Sequence, residues 1–522
     1  MRILFLALFL FNTGSGLQAQ RIIYSEPDRD DVRSMNFEVI GKLNGQFHIY
    51  KGYRDIHNVS IYDAEMRQVD KVRLDFLPDR IFNADFLSYP DFYYMFYQYQ
   101  KRNIVYCMAV KMDDKGKKIG EPVIMDTTDV SFSSNNRIYT VVFSEDKSKI
   151  LAYKINAKND KAHTVTTMLF DKQLEVIRKT RFVVNMPERN DFLEEFHVDN
   201  DGDLAFLRAS GSAQNDNINK LSLIYKSAID DEFLITDLKL PTINLDDIRV
   251  KVDNLNKKFL ITSFFSKVRR GNIDGLYVAI YDKAGRKEAL NTTVLFNDNL
   301  RAEAKNESSI KTAFNDFYIR NLILRKDGGF ILTAESMYSS SRGGTMSRWD
   351  LLYGSPFWSP ADYYMWGNPW AWNNPWAWGG MNSMGWGLSP WGMPGGGMGG
   401  NSVTRFYADN IALMGFDATG KLEWSNMIRK SQFDDNTDNF IGFGTLVMGG
   451  QIHFLFNVQE KRTMVLSDQS LTPEGQLIRN PTFRNIDKGH DFMPRHAKQV
   501  GARQLIMPSM YKNFICFAKI DL

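Results

Sequence analysis

Eight times in this 522-residue chain, an apolar run ends in Asp, or a substitute for it, followed by a short polar turn and a further run. The runs close at Asp63, Asp113, Asp171, Lys226, Asp282, Asp417, Thr472 and Asp521. Successive positions stand 50, 58, 55, 56, 135, 55 and 49 residues apart. The flanking segments alternate β-branched and aromatic residues, which is the pattern of half-buried strands. Few windows carry the i, i+3, i+4 spacing of a helix. The chain therefore reads as all-β. Asp at the head of each turn accepts hydrogen bonds from the turn backbone, and Gly supplies positive φ. These acids are structural punctuation and not catalysts.

A repeat near 50 residues, with about four strands in each unit, has a physical meaning. One four-stranded sheet cannot cover both of its faces, so units pack side by side and close on themselves. In this respect the chain resembles the β-propeller superfamily, over essentially residues 20–522 as a single domain. Eight anchors imply eight blades. Seven is the alternative, because the unit between Asp63 and Asp113 has a diffuse first strand. The eighth unit stops where its fourth strand should begin, and "RIIY" (Arg21 to Tyr24) has no unit of its own. Pairing of these two ends would close the ring. No blade signature of a particular propeller family is present. The resemblance implies a fold and a scaffold, and no chemistry.

Residues 1–19, "MRILFLALFLFNTGSGLQA", read as a secretory signal peptide cleaved after Ala19: Arg2 is the basic start, and Ile3 to Phe11 the apolar stretch. The expectation is an exported protein that does not span a membrane, in the periplasm or on the surface of a Gram-negative bacterium. A net charge of +3 gives no footprint for nucleic acid. The two cysteines, Cys107 and Cys516, fall on third strands of the second and eighth blades. That separation is too large for a disulfide, so both are expected to be unpaired.

No residue is assigned a catalytic role and no cofactor is implied. The seven histidines form no metal-binding spacing. "DNDGD" offers Asp199, Asp201 and Asp203 as a weak calcium candidate, with Gly202 two positions early for an EF-hand. Acid pairs such as Glu194-Glu195 and Asp246-Asp247 are common in any large β protein. A glycan-cleaving enzyme needs two acids placed across a site, and sequence does not place them. Two acids and an Arg converging on the propeller axis would favour a glycan-directed function. An apolar channel would count against it.

The 135-residue interval holds an insertion, residues 337–404, between the second and third strands of the sixth unit. From Tyr363 to Thr404 it has no charged residue, and "NPWAW" occurs in it twice. Pro and Gly exclude a long helix. Trp358, Trp366, Trp370, Trp372, Trp376, Trp378, Trp386 and Trp391 are the candidate partner-binding residues, since exposed aromatic surface marks interaction sites. The leading reading is a non-enzymatic scaffold that docks an envelope protein, such as an outer-membrane barrel assembly. Stacking on glycan rings, contact with a lipid surface and self-packing on the disc are the alternatives.

Overall fold

The computed structural model describes residues 21–27, 35–130, 138–340 and 405–522, apart from 54, 160, 212–216, 232, 306–309, 436–437, 461–462, 484–488 and 513. The leader and the Trp-rich segment lie outside the described residues. Among the described residues the strands form antiparallel meanders of four, in eight consecutive units. Units 1 to 3 span 35–73, 83–129 and 139–185. Units 4 and 5, at 191–238 and 244–295, are joined into one sheet by the single pair Ile218–Leu245. Units 6 and 7 span 317–428 and 444–479. Unit 8 comprises 490–521 and takes its outer strand from Arg21–Tyr24 at the other end of the chain. The fold is an all-β propeller.

Burial explains why the strands read as they do. The third strand of unit 5, Gly275–Asp282, is buried along all but its last residue. The outer strand of unit 3, Val176–Asn185, is exposed at every other position along much of its length. Middle strands pack on both faces and so carry continuous apolar runs. Each seam between consecutive units has its own core. Tyr50, Val59 and Ile61 of unit 1 pack against Phe86, Tyr93 and Met95 of unit 2. The last seam sets Ile506, Ile515 and Phe517 of unit 8 against Phe37, Phe47 and Ile49 of unit 1. Each buried Leu, Ile or Phe stabilises by about 1.5–3 kcal/mol, so no unit can leave its neighbours cheaply.

The recurrent Asp residues sit where third strands turn into outer strands. Asp113 Oδ1 accepts from the backbone N–H of Lys115 and Lys117 at 2.9 and 2.8 Å. Asp171 accepts from Gln173 and Glu175 at 2.9 and 2.8 Å. Asp417 accepts from Thr419 and Lys421 at 2.8 and 2.9 Å. The third residue after the Asp takes positive φ: Gly116 at 70°, Leu174 at 64° and Gly420 at 75°. These turns share one face of the disc with the turns between first and second strands. We term it the turn face, and the opposite face the loop face.

The insertion leaves from the loop face and is shorter at its root than the sequence implies. Met337–Ser340 were expected to be loop, yet they continue the strand Phe330–Ser340. They are held there by pairing of Met337 with Ala408 and of Ser340 with Arg405. Gln432–Asp435 adds a further strand to the same root, on Arg405–Ala408.

The closing strand pairs Arg21 with Asp521 and Tyr24 with Ala518. Ser25 extends the pairing, its N–H donating to Phe517 O and its hydroxyl accepting from Phe517 N, each at 2.9 Å. Tyr24 also stacks on His490 at 4.0 Å, and His490 Nδ1 lies 3.2 Å from the buried Cys516 thiol. Deletion of residues 21–25 is expected to lower stability by on the order of 4 kcal/mol, from lost strand hydrogen bonds and half-buried Ile22, Ile23 and Tyr24. It should also open Cys516 to a thiol reagent that leaves the intact protein unmodified. Chemical unfolding and thiol titration of the deletion variant check both, and an unreactive Cys516 would contradict the closure.

Candidate functional site

Side chains of units that are not neighbours in the ring can meet only at its axis. Arg320 of unit 6 feels the charges of Arg249 and Asp247 of unit 5 and of Arg495 of unit 8. On the turn side, Asn254 of unit 5 donates to Glu145 of unit 3 at 2.7 Å. The axis is therefore lined by charged and polar groups. Glu38, Glu194, Asp247 and Arg320 are each the fourth residue of the inner strand of their unit: Met35–Leu43, Asp191–Val198, Asn244–Asp253 and Phe317–Leu324. Glu194, Asp247 and Arg320 share the charge of Arg249 and so form one layer toward the loop face.

That layer is built from broken strand register. The inner strands of units 1, 4, 5 and 6 shift register between Val39 and Gly41, Glu194 and His197, Asp246 and Arg249, and Ile319 and Asn321. A bulge interrupts the alternation of side chains and re-aims them. Glu195 and Asp247 are the bulged residues of adjacent units, and both take left-handed φ, 55° and 49°. For a residue with a Cβ this conformation costs about 1–3 kcal/mol. Such strain persists only where the surrounding structure holds it.

One acid of each pair, Glu195 and Asp247, meets Arg249. Its Nη2 lies 2.6 Å from Asp247 Oδ1 and its Nη1 3.8 Å from Glu195 Oε1. Asp247 Oδ2 accepts from the Ile319 backbone N–H of unit 6. Glu195 Oε2 accepts from Val250 N at 2.9 Å and faces His197 Nε2 at 3.3 Å. Burial alone would raise Glu195, but the His197 and Val250 hydrogen bonds and the Arg249 charge outweigh it and hold Glu195 below the usual range. Glu194 goes the other way. Its Oε1 is buried with no hydrogen-bond partner among the described residues, and burial together with the Glu195 charge pushes its pKa up to about 8. Two consecutive carboxyls thus differ in protonation at neutral pH. A protonated acid beside an ionised one is the arrangement general acid–base chemistry needs.

The layer continues into unit 6. Arg320 Nε lies 3.4 Å from Glu335 Oε2, and Lys430 Nζ lies 2.8 Å from Glu335 Oε1. Burial would raise Glu335, and these two cations hold it low instead. Lys430 also donates to Ala408 O and Gln432 Oε1, each at 2.8 Å. Arg495 pairs with Asp438. On the inner strand of unit 1, Glu38 is 3% exposed, with neither carboxylate oxygen hydrogen-bonded among the described residues. Burial raises Glu38 well above its ordinary value, with Lys498 Nζ 4.0 Å away.

The candidates read from sequence fare differently. The eight Trp positions, Trp358 to Trp391, lie outside the described residues. Asp199, Asp201 and Asp203 do converge, with carboxylate oxygens within 4.8 Å of one another. However, Lys283 Nζ of the neighbouring unit stands among them, at 2.5, 2.6 and 2.7 Å. Asp199 also accepts from the backbone of Asp201 and Asp203, each at 2.9 Å, and Asp203 from Tyr225 at 2.6 Å. An ammonium group fills the place a cation would take. Cys107 and Cys516 are both buried free thiols. No helix among the described residues is long and apolar enough to cross a membrane.

Both acid pairs are visible in the sequence, where neither has an evident role. A signal was present: Glu194-Glu195 and Asp246-Asp247 stand 52 residues apart, as do His197 and Arg249. That distance is one repeat, so the pairs occupy the same blade position. Arg320, Glu335 and Lys430 had no such signal, because the interval around them is irregular.

No protein-family model matches the chain. No curated protein matches it either. Solved structures similar to it include a prolyl endopeptidase, at 11% identity and a TM-score of 0.33, over 85% of this chain and 55% of that one. The chain thus spans about half the length of that enzyme. A PL25 ulvan lyase is similar at 8% identity and a TM-score of 0.36, over 83% of this chain and 90% of that one. An α-L-arabinanase of Penicillium chrysogenum is similar at 11% identity and a TM-score of 0.31, over 60% and 92%. No residue role is carried over from any of them.

Two outcomes follow from the geometry. Glu194 has a folded pKa of about 8 against an ordinary 4.5, so the folded state holds the extra proton between those values and stability falls as pH rises through them. Glu194→Gln removes that dependence. The variant should exceed the parent by about 1–3 kcal/mol at pH 8 and match it at pH 4, as read from unfolding curves at the two pH values. Lys283→Met takes the cation from Asp199 and Asp203, while Asp201 keeps Lys257 at 2.7 Å, and is expected to destabilise by on the order of 3 kcal/mol. Millimolar calcium should then raise the melting temperature of the variant and not that of the parent. A calcium response in the parent would show that the ammonium does not hold the cluster.

Proposed function

We propose that this propeller binds a glycan on its axis and cleaves it by acid–base chemistry. The observation that carries this reading is the split between Glu194, neutral near pH 7, and Glu195, ionised beside Arg249. In hydrolysis Glu194 gives its proton to the glycosidic oxygen as the bond to the anomeric carbon breaks. Water adds to that carbon and loses its proton to the ionised carboxylate of Glu195. Arg249 holds Asp247 and Glu195 in place and favours the charged form of Glu195. The root of the insertion supports a sugar ligand. Glu335 of the axial layer and Ser340, the last described residue before the insertion, are five residues apart on one strand, about 17 Å. A segment with nine Trp thus leaves from the face nearest the acids, and Trp faces stack on sugar rings.

A second reading keeps the insertion as a docking element for an envelope protein, such as an outer-membrane barrel assembly. What favours it is the braced root. Tyr338 stacks on Tyr407 at 4.5 Å, and Arg405 pairs with Asp435 at 2.7 Å and lies over Phe433. A rigid root suits a segment presented to a partner. Export to the periplasm or cell surface is proposed on the leader alone.

One experiment weighs the two readings. A polysaccharide panel is assayed for binding and for new reducing ends, with the parent, with Glu194→Gln and with residues 341–404 replaced by a short Gly/Ser linker. The glycan reading expects cleavage that declines as pH rises through about 8. It also expects Glu194→Gln to lose at least about 100-fold in rate with binding retained. If no polysaccharide is bound or cleaved, while defined envelope proteins co-purify with the parent and not with the linker variant, the docking reading replaces it.

A further inference from the structure

Arg320 is a buried cation with unfilled donors. It is the bulged residue of the unit 6 inner strand and 7% exposed. Its Nε faces Glu335 at 3.4 Å, and among the described residues its two terminal nitrogens, Nη1 and Nη2, make no hydrogen bond and are not sealed from solvent. Glu335 does not neutralise it fully, because Lys430 Nζ lies closer to the same carboxylate, at 2.8 Å. Arg249 and Arg495 approach from units 5 and 8 and add positive charge. Burial and these two neighbours push Arg320 down to about 10 against the pull of Glu335 and Asp247. A guanidinium in such a place is costly unless an anion meets its free edge. The planar fork of two N–H groups matches a carboxylate, which accepts both in parallel.

We propose that Arg320 receives the carboxylate of a uronate unit, so that the axial ligand is an acidic glycan and not a neutral one. The proposal rests on the glycan reading and narrows its substrate class. Glu194 then lies on the adjoining inner strand but one, close enough to share the Arg249 and Asp247 charges with Arg320. The sugar bearing the carboxylate and the bond to be broken would thus be held by the same layer.

The test compares each uronate glycan of a panel (pectate, alginate and unsulfated glucuronan) with its methyl ester, using calorimetric titration of the full chain. A neutral glucan, a sulfated galactan and succinate complete the set. At least one free acid should bind at least tenfold more tightly than its ester. Arg320→Lys keeps the charge and loses the fork, and should abolish most of that difference while leaving the ester's affinity unchanged. Because acid and ester are compared within one variant, a general loss of fold cancels. Equal affinity for acid and ester across the panel overturns the uronate assignment, and binding of the neutral glucan in that case leaves the glycan reading standing. Preference for the sulfated galactan over every uronate also overturns it, in favour of a sulfate ligand. Binding of succinate, lost in Arg320→Lys, with no sugar bound, overturns the glycan reading while the anion site stands.

Discussion

A sheet whose middle strands are apolar on both faces cannot stand alone in water. That constraint governs this molecule. Every unit leaves its faces to its neighbours, and the series of seams ends only when the last unit meets the first. The final seam, Ile506 and Phe517 against Phe37 and Ile49, is built like the others. What holds it in place is the strand Arg21–Tyr24, which follows no unit and completes the eighth. Ring closure removes the two sheet edges that an open array would expose. It also couples the chain ends, so that the stability of any seam depends on all of them.

Closure creates the axis as a by-product. Inner strands that are far apart in sequence, and not adjacent in the ring, face one another across a narrow space. Apolar side chains would fill that space as a further core. Here the inner strands of units 1, 4, 5 and 6 carry bulges instead, with Glu195, Asp247 and Arg320 as bulged residues of the last three. Left-handed backbone at Glu195 and Asp247 is unfavourable locally and is retained by the seams on either side. Stability stored in the apolar seams thus maintains a charged, strained layer that no single unit could sustain. Within it, slight differences in hydrogen bonding separate the protonation of Glu194 from that of Glu195. The Lys283 cluster shows the opposite use of charge. Three Asp carboxylates meet one ammonium, and the result ties two units together at the turn face.

The repeat was legible because its punctuation is local. An Asp that caps its own turn needs only the next four residues, as at Asp113 and Asp171, so its spacing survives in the sequence. Alternation and long apolar runs announced the strands for the same reason. The axial pairing of Glu194-Glu195 with Asp246-Asp247 was half legible. The repeat put them in register, but the meeting of Glu195 and Asp247 at Arg249 depends on bulges that no residue pattern marks. The aromatic insertion was visible as composition, and its root proved longer in strand than its residue types suggested, because pairing with Arg405–Ala408 carries Met337–Ser340 along.

By itself, then, the sequence determined what depends on neighbours along the chain: the strands, the turns, the period and the class of fold. Tertiary structure alone decided what depends on neighbours across the ring. It placed Lys283 among the three Asp, brought Arg320 within reach of Arg249 and Arg495, and left its terminal nitrogens without a partner among the described residues. The physical reason is that a charge buried at an axis is set by the field of several units at once. That field exists only after the ring has closed.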